Sequence, residues 1–89
     1  MRIQIDPHTL ERATERGASK HEIKDVLISG SDIPAKSGRR GKAKVYTYNQ
    51  KRLGTFFEQK RIEVIYTIER DRIVTVTVYV FYGNWEATR

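Results

Sequence analysis

The stretch Ile73-Val74-Thr75-Val76-Thr77-Val78-Tyr79-Val80-Phe81-Tyr82 decides the fold. It is dominated by β-branched and aromatic residues and has no Gly or Pro, which reads as a strand. Alternation places Val74, Val76, Val78 and Val80 on one face and Ile73, Tyr79 and Phe81 on the other. Apolar residues on both faces mean a strand covered on both sides, or one whose second face is a binding surface. The run is too short, and too broken by Thr75 and Thr77, to cross a bilayer as a helix. The rest of the chain must therefore supply sheet neighbours and a covering layer.

That layer is written at the start of the sequence. Met1 to Ile5 suits a short strand. Asp6-Pro7 is a helix start, with Asp as N-cap and Pro at the first helical position. The helix runs to about Arg16, and Gly17 stops it in a left-handed conformation. Its Leu10, Ala13 and Thr14 are expected to face the core. Ser19-Lys20-His21-Glu22 is a capping box for a second helix carrying the apolar stripe Ile23, Val26 and Leu27 and ending at Gly30.

Ser31 to Gly41 reads as a polar, basic loop. Lys42 to Asn49 alternates as a strand, with Lys44, Tyr46 and Tyr48 on one face. Asn49 to Arg52 is expected to turn, Leu53 to Glu58 to return, Gln59-Lys60 to turn again, and Arg61 to Glu69 to form a further strand. Glu69 to Arg72 is the last hairpin connection. The order β-α-α-β-β-β-β predicts one α+β domain, with two N-terminal helices packed on a mainly antiparallel four- to five-stranded sheet.

Charge is segregated along the 89 residues. Nine basic residues between Lys36 and Arg61 face one acidic residue, Glu58, so this segment carries +8 and the rest of the chain −2, a net +6. A concentrated positive field attracts polyanions, and each neutralised phosphate releases a counterion. Tyr46, Tyr48, Phe56 and Phe57 are interleaved with these cations and offer stacking surfaces. Arg39, Arg40, Lys42, Lys44, Tyr46 and Tyr48 are the candidate nucleic-acid contacts. The bland alternative is a solvated basic rim.

His8, Arg12 and Glu15 share a face of the first helix, and Arg16 lies a turn beyond Arg12. An imidazole with two guanidinium groups suits phosphoryl chemistry, the first for proton transfer and the others for developing charge. An ordinary solvated helix with intrahelical ion pairs has the same look. Two separated histidines argue against a metal site, and Ser37 to Lys42 lacks a Walker pattern. With no cysteine in the sequence, thiolate chemistry and disulfides are excluded. The polar start, Met1 to Leu10, is not a signal peptide, and the chain reads as a cytoplasmic protein with no membrane segment and no cofactor. Trp85 either packs on the core or anchors a partner.

The pattern His8-x-x-x-Arg12-x-x-x-Arg16-Gly17, followed by Ser19, a Glu-containing helix and Ile73 to Tyr79, resembles the bacterial domain-of-unknown-function 4258 family over about residues 3 to 80. That family looks related to RelE-like and BrnT-like toxins of toxin–antitoxin systems. The resemblance implies a compact sheet with two helices and a metal-independent endoribonuclease, in which the RNA's own 2′-hydroxyl attacks the adjacent phosphate. It implies RNA as a partner and an acidic antitoxin-like protein as another, with His8, Arg12 and Arg16 as catalytic residues. Ala18, where a larger aliphatic is common, and the tail Val80 to Arg89 depart from the pattern. Two other classes stand beside it: a non-catalytic nucleic-acid-binding module, and a protein-interaction domain using a sheet edge or Trp85.

Overall fold

The computed structural model describes residues 1–36 and 38–85. It has the elements β1 (Arg2–Gln4), α1 (Pro7–Arg16), α2 (Lys20–Ser29), β2 (Ser31–Ile33), β3 (Arg40–Arg52), β4 (Thr55–Glu69) and β5 (Arg72–Gly83). The strands form one five-stranded sheet in the order β1-β5-β4-β3-β2. All pairings are antiparallel except β1 with β5. The fold is α+β, as the sequence predicts.

Local signals explain the helices. Pro7 opens α1, while the Asp6 carboxylate makes no bond to the helix backbone. The Asp6 amide instead donates to Thr75 Oγ1 at 3.2 Å, tying the helix start to β5. Gly17 closes α1 at φ 105°, where a side chain is disfavoured. Ser19 and Glu22 form the full capping box, at 3.1 and 3.0 Å, worth about 1 kcal/mol.

The core lies between the helices and one face of the sheet. Ile23, Val26 and Leu27 of α2 meet Ile62, Val64 and Tyr66 of β4 and Val78 of β5, with Ala13 and Ala18 between them. Each large side chain buried this way stabilises the fold by about 1.5–3 kcal/mol. In α1 the buried pair is Thr9 and Ala13. Thr14 is exposed and bonds back to the Leu10 carbonyl, a correction to its expected core position.

Four boundaries differ from the sequence reading. Ser31–Ile33 is a strand, paired with Gly41–Ala43, and at three residues it is too short for alternation to show. Asn49 does not open a turn. It takes φ 49° at a register shift between Thr47 and Gln50, and the chain reverses at Leu53-Gly54 instead. Gln59-Lys60 is not a turn either, and β4 runs unbroken through it. The polar pair misleads because Lys60 faces inward and is only 8% exposed. Finally, the β4–β5 register shifts at Ile65/Tyr66, so Tyr66 pairs with Thr75 and Ile65 with Thr77. Val76 is the extra residue, so Val74 does not share a face with Val78 and Val80.

Candidate nucleic-acid interface

Helix α1 seals the outer edge of β5, which β1 covers only from Arg72 to Val74. Thr9 Oγ1 donates to the Val76 carbonyl at 3.3 Å, and Arg16 Nη1 to that of Val78 at 2.7 Å. The C-terminal carbonyls of α1 are taken from the sheet side. Arg52 Nη2 donates to Glu15, the Tyr82 hydroxyl to Arg16 and Lys60 Nζ to Gly17, at 3.0, 2.7 and 2.8 Å. Orphan carbonyls and the negative end of the helix dipole are both satisfied by these groups.

Of the residues expected to be catalytic, Arg16 is therefore an edge anchor. His8 and Arg12 lie on the exposed surface of α1. Arg12 Nε donates to His8 Nε2 at 3.2 Å, and Glu11 stands 3.9 Å from His8 Nδ1. The lone pair that would accept a proton is thus held by Arg12. Helix α1 packs on β5, whereas the Lys42–Tyr48 segment belongs to β3, two strands across the sheet.

Two cations of β3 on the helix side are met by carboxylates. Lys42 pairs with Asp32 at 2.8 Å, and Lys44 with Asp25 at 2.7 Å. Asp25 also accepts from the Tyr46 hydroxyl at 2.6 Å. The Lys44 ammonium first, and then Tyr46, hold the Asp25 carboxyl down to about 2. Burial, with the Asp25 bond adding to it, pushes the Tyr46 phenol well above its ordinary range. Asp32 is lowered, and Lys42 raised, mainly by their mutual bond. One strand further in, Lys60 pairs with Glu22 at 3.0 Å. Tyr48 lies against Tyr82, ring centroids 5.1 Å apart, and Lys60 sits 5.8 Å from the Tyr48 ring. Tyr46 and Tyr48 are thus engaged within the fold, and Arg40 is exposed beside Lys42 and Asp32.

The other face of the sheet is different. By alternation it carries Thr77, Tyr79 and Phe81 from β5, Arg61, Glu63 and Ile65 from β4, and Val45 from β3. No helix covers it. Tyr79 and Phe81 stand 44% and 46% exposed, with ring centroids 6.3 Å apart. Trp85, 40% exposed, lays its ring where a side chain at Gly83 would stand, so it extends the same row. Phe81 sits directly across from Arg61, which pairs with Glu63 at 2.9 Å. Arg16, reaching round the β5 edge, brings its guanidinium to 6.0 Å from the Tyr79 ring centre. Arg39 lines a cleft beside Tyr79, together with Lys36.

Of the expected nucleic-acid contacts, only Arg39 lies at this face. Tyr79, Phe81, Trp85 and Arg61 were not among them, although for Tyr79 and Phe81 the apolar second face of the last strand was the signal. Among the described residues no group of three or more His, Asp or Glu could hold a metal ion. No helix among them is long and apolar enough to cross a membrane.

A family described as a domain of unknown function, DUF4258, matches residues 5–80. No curated protein and no solved structure matches the chain.

Proposed function

The chain belongs to the DUF4258 family, and we propose that it binds single-stranded RNA in the cytoplasm, on the uncovered face of its sheet. The observation that carries this reading is the row Tyr79, Phe81 and Trp85, three large rings left half in water on a face with no covering layer. Stacking of a base on an aromatic ring is worth about 1–3 kcal/mol and tolerates any sequence. Lys36 and Arg39 line a cleft with Tyr79 and have no carboxylate partner among the described residues, so phosphates beside the stacked bases meet cations there. The test is anisotropy of a labelled oligoribonucleotide. Tyr79→Ala and Phe81→Ala each weaken binding by about 5- to 150-fold, while both variants keep the wild-type fold because neither ring is in the core. Unchanged affinity in both overturns the proposal.

Metal-independent RNA cleavage, and with it a toxin-like role and an acidic antitoxin-like partner, is a second reading. It is favoured by the solvent-facing His8–Arg12 pair, an imidazole and a guanidinium one hydrogen bond apart. For His8 to take a proton, Arg12 must first release Nε2 and turn to the phosphate. Incubation with RNA and EDTA from about pH 5 to 9 tests it. His8→Ala slows cleavage by about 10²–10⁴-fold under this reading. RNA left intact by the wild-type protein ends it and leaves the binding proposal standing.

A further inference from the structure

The uncovered face holds a cleft of about 310 Å³, lined in part by Pro34 to Lys36 and Arg39. That volume is at the lower end of the range for small-molecule sites. Its walls differ in chemistry. The lining joins the aromatic Tyr79 and the apolar Ile65 to Thr77 and the carboxylate of Glu63. Lys36 and Arg39 also line it, and the Arg39 amide donates to the Lys36 carbonyl at 3.0 Å.

Glu63 is the informative residue. It sits on β4 directly opposite Tyr79, with its side chain 22% exposed. Arg61 Nε donates to Oε2 at 2.9 Å, and no described residue donates to Oε1. An ionised carboxylate offers about four acceptor positions over two oxygens, and a single Arg Nε contact leaves most of them open. A half-buried acceptor in the same cleft as an aromatic ring and two cations suits a nucleotide held by its base and its phosphate.

We propose that this cleft takes one nucleotide of the bound strand and selects guanine. The inference rests on the RNA-binding proposal and deepens it. The base stacks on Tyr79, its phosphate meets Arg39 and Lys36, and its Watson–Crick edge faces Glu63. Guanine presents two adjacent donors on that edge, N1–H and the N2 amine, and can bond both carboxylate oxygens. Adenine and cytosine present an amine beside an acceptor nitrogen. Uracil presents one N–H flanked by two carbonyl oxygens, which the carboxylate repels. A paired donor contact of this kind discriminates by about 5- to 150-fold.

The experiment compares uridine hexamers carrying one central guanosine, inosine, adenosine or cytidine, and plain hexauridine, on the intact wild-type protein and on Glu63→Gln. The guanosine oligomer binds wild type most tightly, inosine falls between guanosine and uridine because it lacks the N2 amine, and Glu63→Gln levels the series. Inosine alters only the ligand, so this comparison holds even where the variant fails to fold. Equal binding of guanosine and uridine oligomers by wild type, or a preference that survives Glu63→Gln, overturns the guanine pocket while leaving RNA binding intact. Failure of every oligomer to bind overturns the RNA reading itself, and the pocket with it.

Discussion

Arg16 Nη1 donates to the Val78 carbonyl at 2.7 Å, fastening the last turn of α1 to the edge of β5. The guanidinium fills a position where a further strand would otherwise pair, which is how an exposed sheet edge is blunted. A bond from a charged donor is worth about 1.5–3 kcal/mol, less where water reaches it. Arg16→Ala is therefore expected to lower stability by on the order of 1–2 kcal/mol, read as the midpoint of urea unfolding. An unchanged midpoint would free Arg16 from its anchoring role.

Gly17 is held by the same junction. A Cβ there would overlap the Tyr82 hydroxyl, and φ 105° is itself a strained conformation for any other residue. Gly17→Ala should cost on the order of 2–4 kcal/mol, from backbone strain and from overpacking. Tyr82→Phe removes the hydroxyl but also its bond to the Arg16 carbonyl, a loss of about 1 kcal/mol. In the double variant the overlap is gone, so the combined loss should be smaller than the sum of the two. Strict additivity in a double-mutant cycle would contradict the packing described for this corner.

Asp25 links stability to acid. Its folded carboxyl lies at about 2, below its ordinary value, because of Lys44 and Tyr46. Its contribution is complete above the unfolded value of about 3.9 and is lost as pH falls through the folded one. Asp25→Asn should therefore be less stable than wild type near neutral pH, and the gap should close between about pH 4 and 2. Tyr46 acts in the opposite sense. Its raised folded value makes its contribution complete below about pH 10, lost as pH rises. Thermal melts across both limbs check the pair, and a gap constant with pH would show that Asp25 is not held in this way.

The helices were legible because their signals are local. Pro7, Gly17 and the Ser19–Glu22 box each lie within a few residues of the bond or turn they govern. The continuity of β4 was not, since Lys60 looks like a turn residue until Glu22, 38 positions away, is placed beside it. The charged segment has partners that sequence counting does not show. Lys44 meets Asp25 across 19 positions and Lys42 meets Asp32 across 10, so the +8 count overstates the field that a ligand would feel. For the proposed site, the apolar second face of β5 was visible in the alternation. Which residues of β4 and β3 share that face depends on register, and two register shifts separate it from simple counting.

The Leu53-Gly54 turn predicts a stabilising change. Both residues have positive φ, 52° and 85°, and the Leu53 side chain is 97% exposed. A two-residue hairpin of this type favours Asn at its first position, where Leu gains no burial to offset the strain. Leu53→Asn should stabilise by about 1 kcal/mol and raise the melting temperature by about 4–8 °C. A lower melting temperature would mean that the Leu53 side chain itself stabilises the turn.

The basic segment separates the two faces of the sheet as binding surfaces. Lys42 and Lys44 already carry carboxylate partners at 2.8 and 2.7 Å, so a phosphate would have to displace Asp32 or Asp25 to reach them. Lys36 and Arg39 line the same cleft as Tyr79. Each phosphate contact adds about 0.7 to the logarithmic salt slope for a single strand. Lys36→Ala and Arg39→Ala should each flatten the slope by about that amount, whereas Lys42→Ala and Lys44→Ala should leave it within error of wild type. The measurement is RNA affinity over a series of salt concentrations for the four single variants. A slope that falls for Lys42 and Lys44 but not for Lys36 and Arg39 would move the RNA to the helix side of β3. Tyr79 and Phe81 would then have no part in binding, because the sheet itself stands between them and that surface.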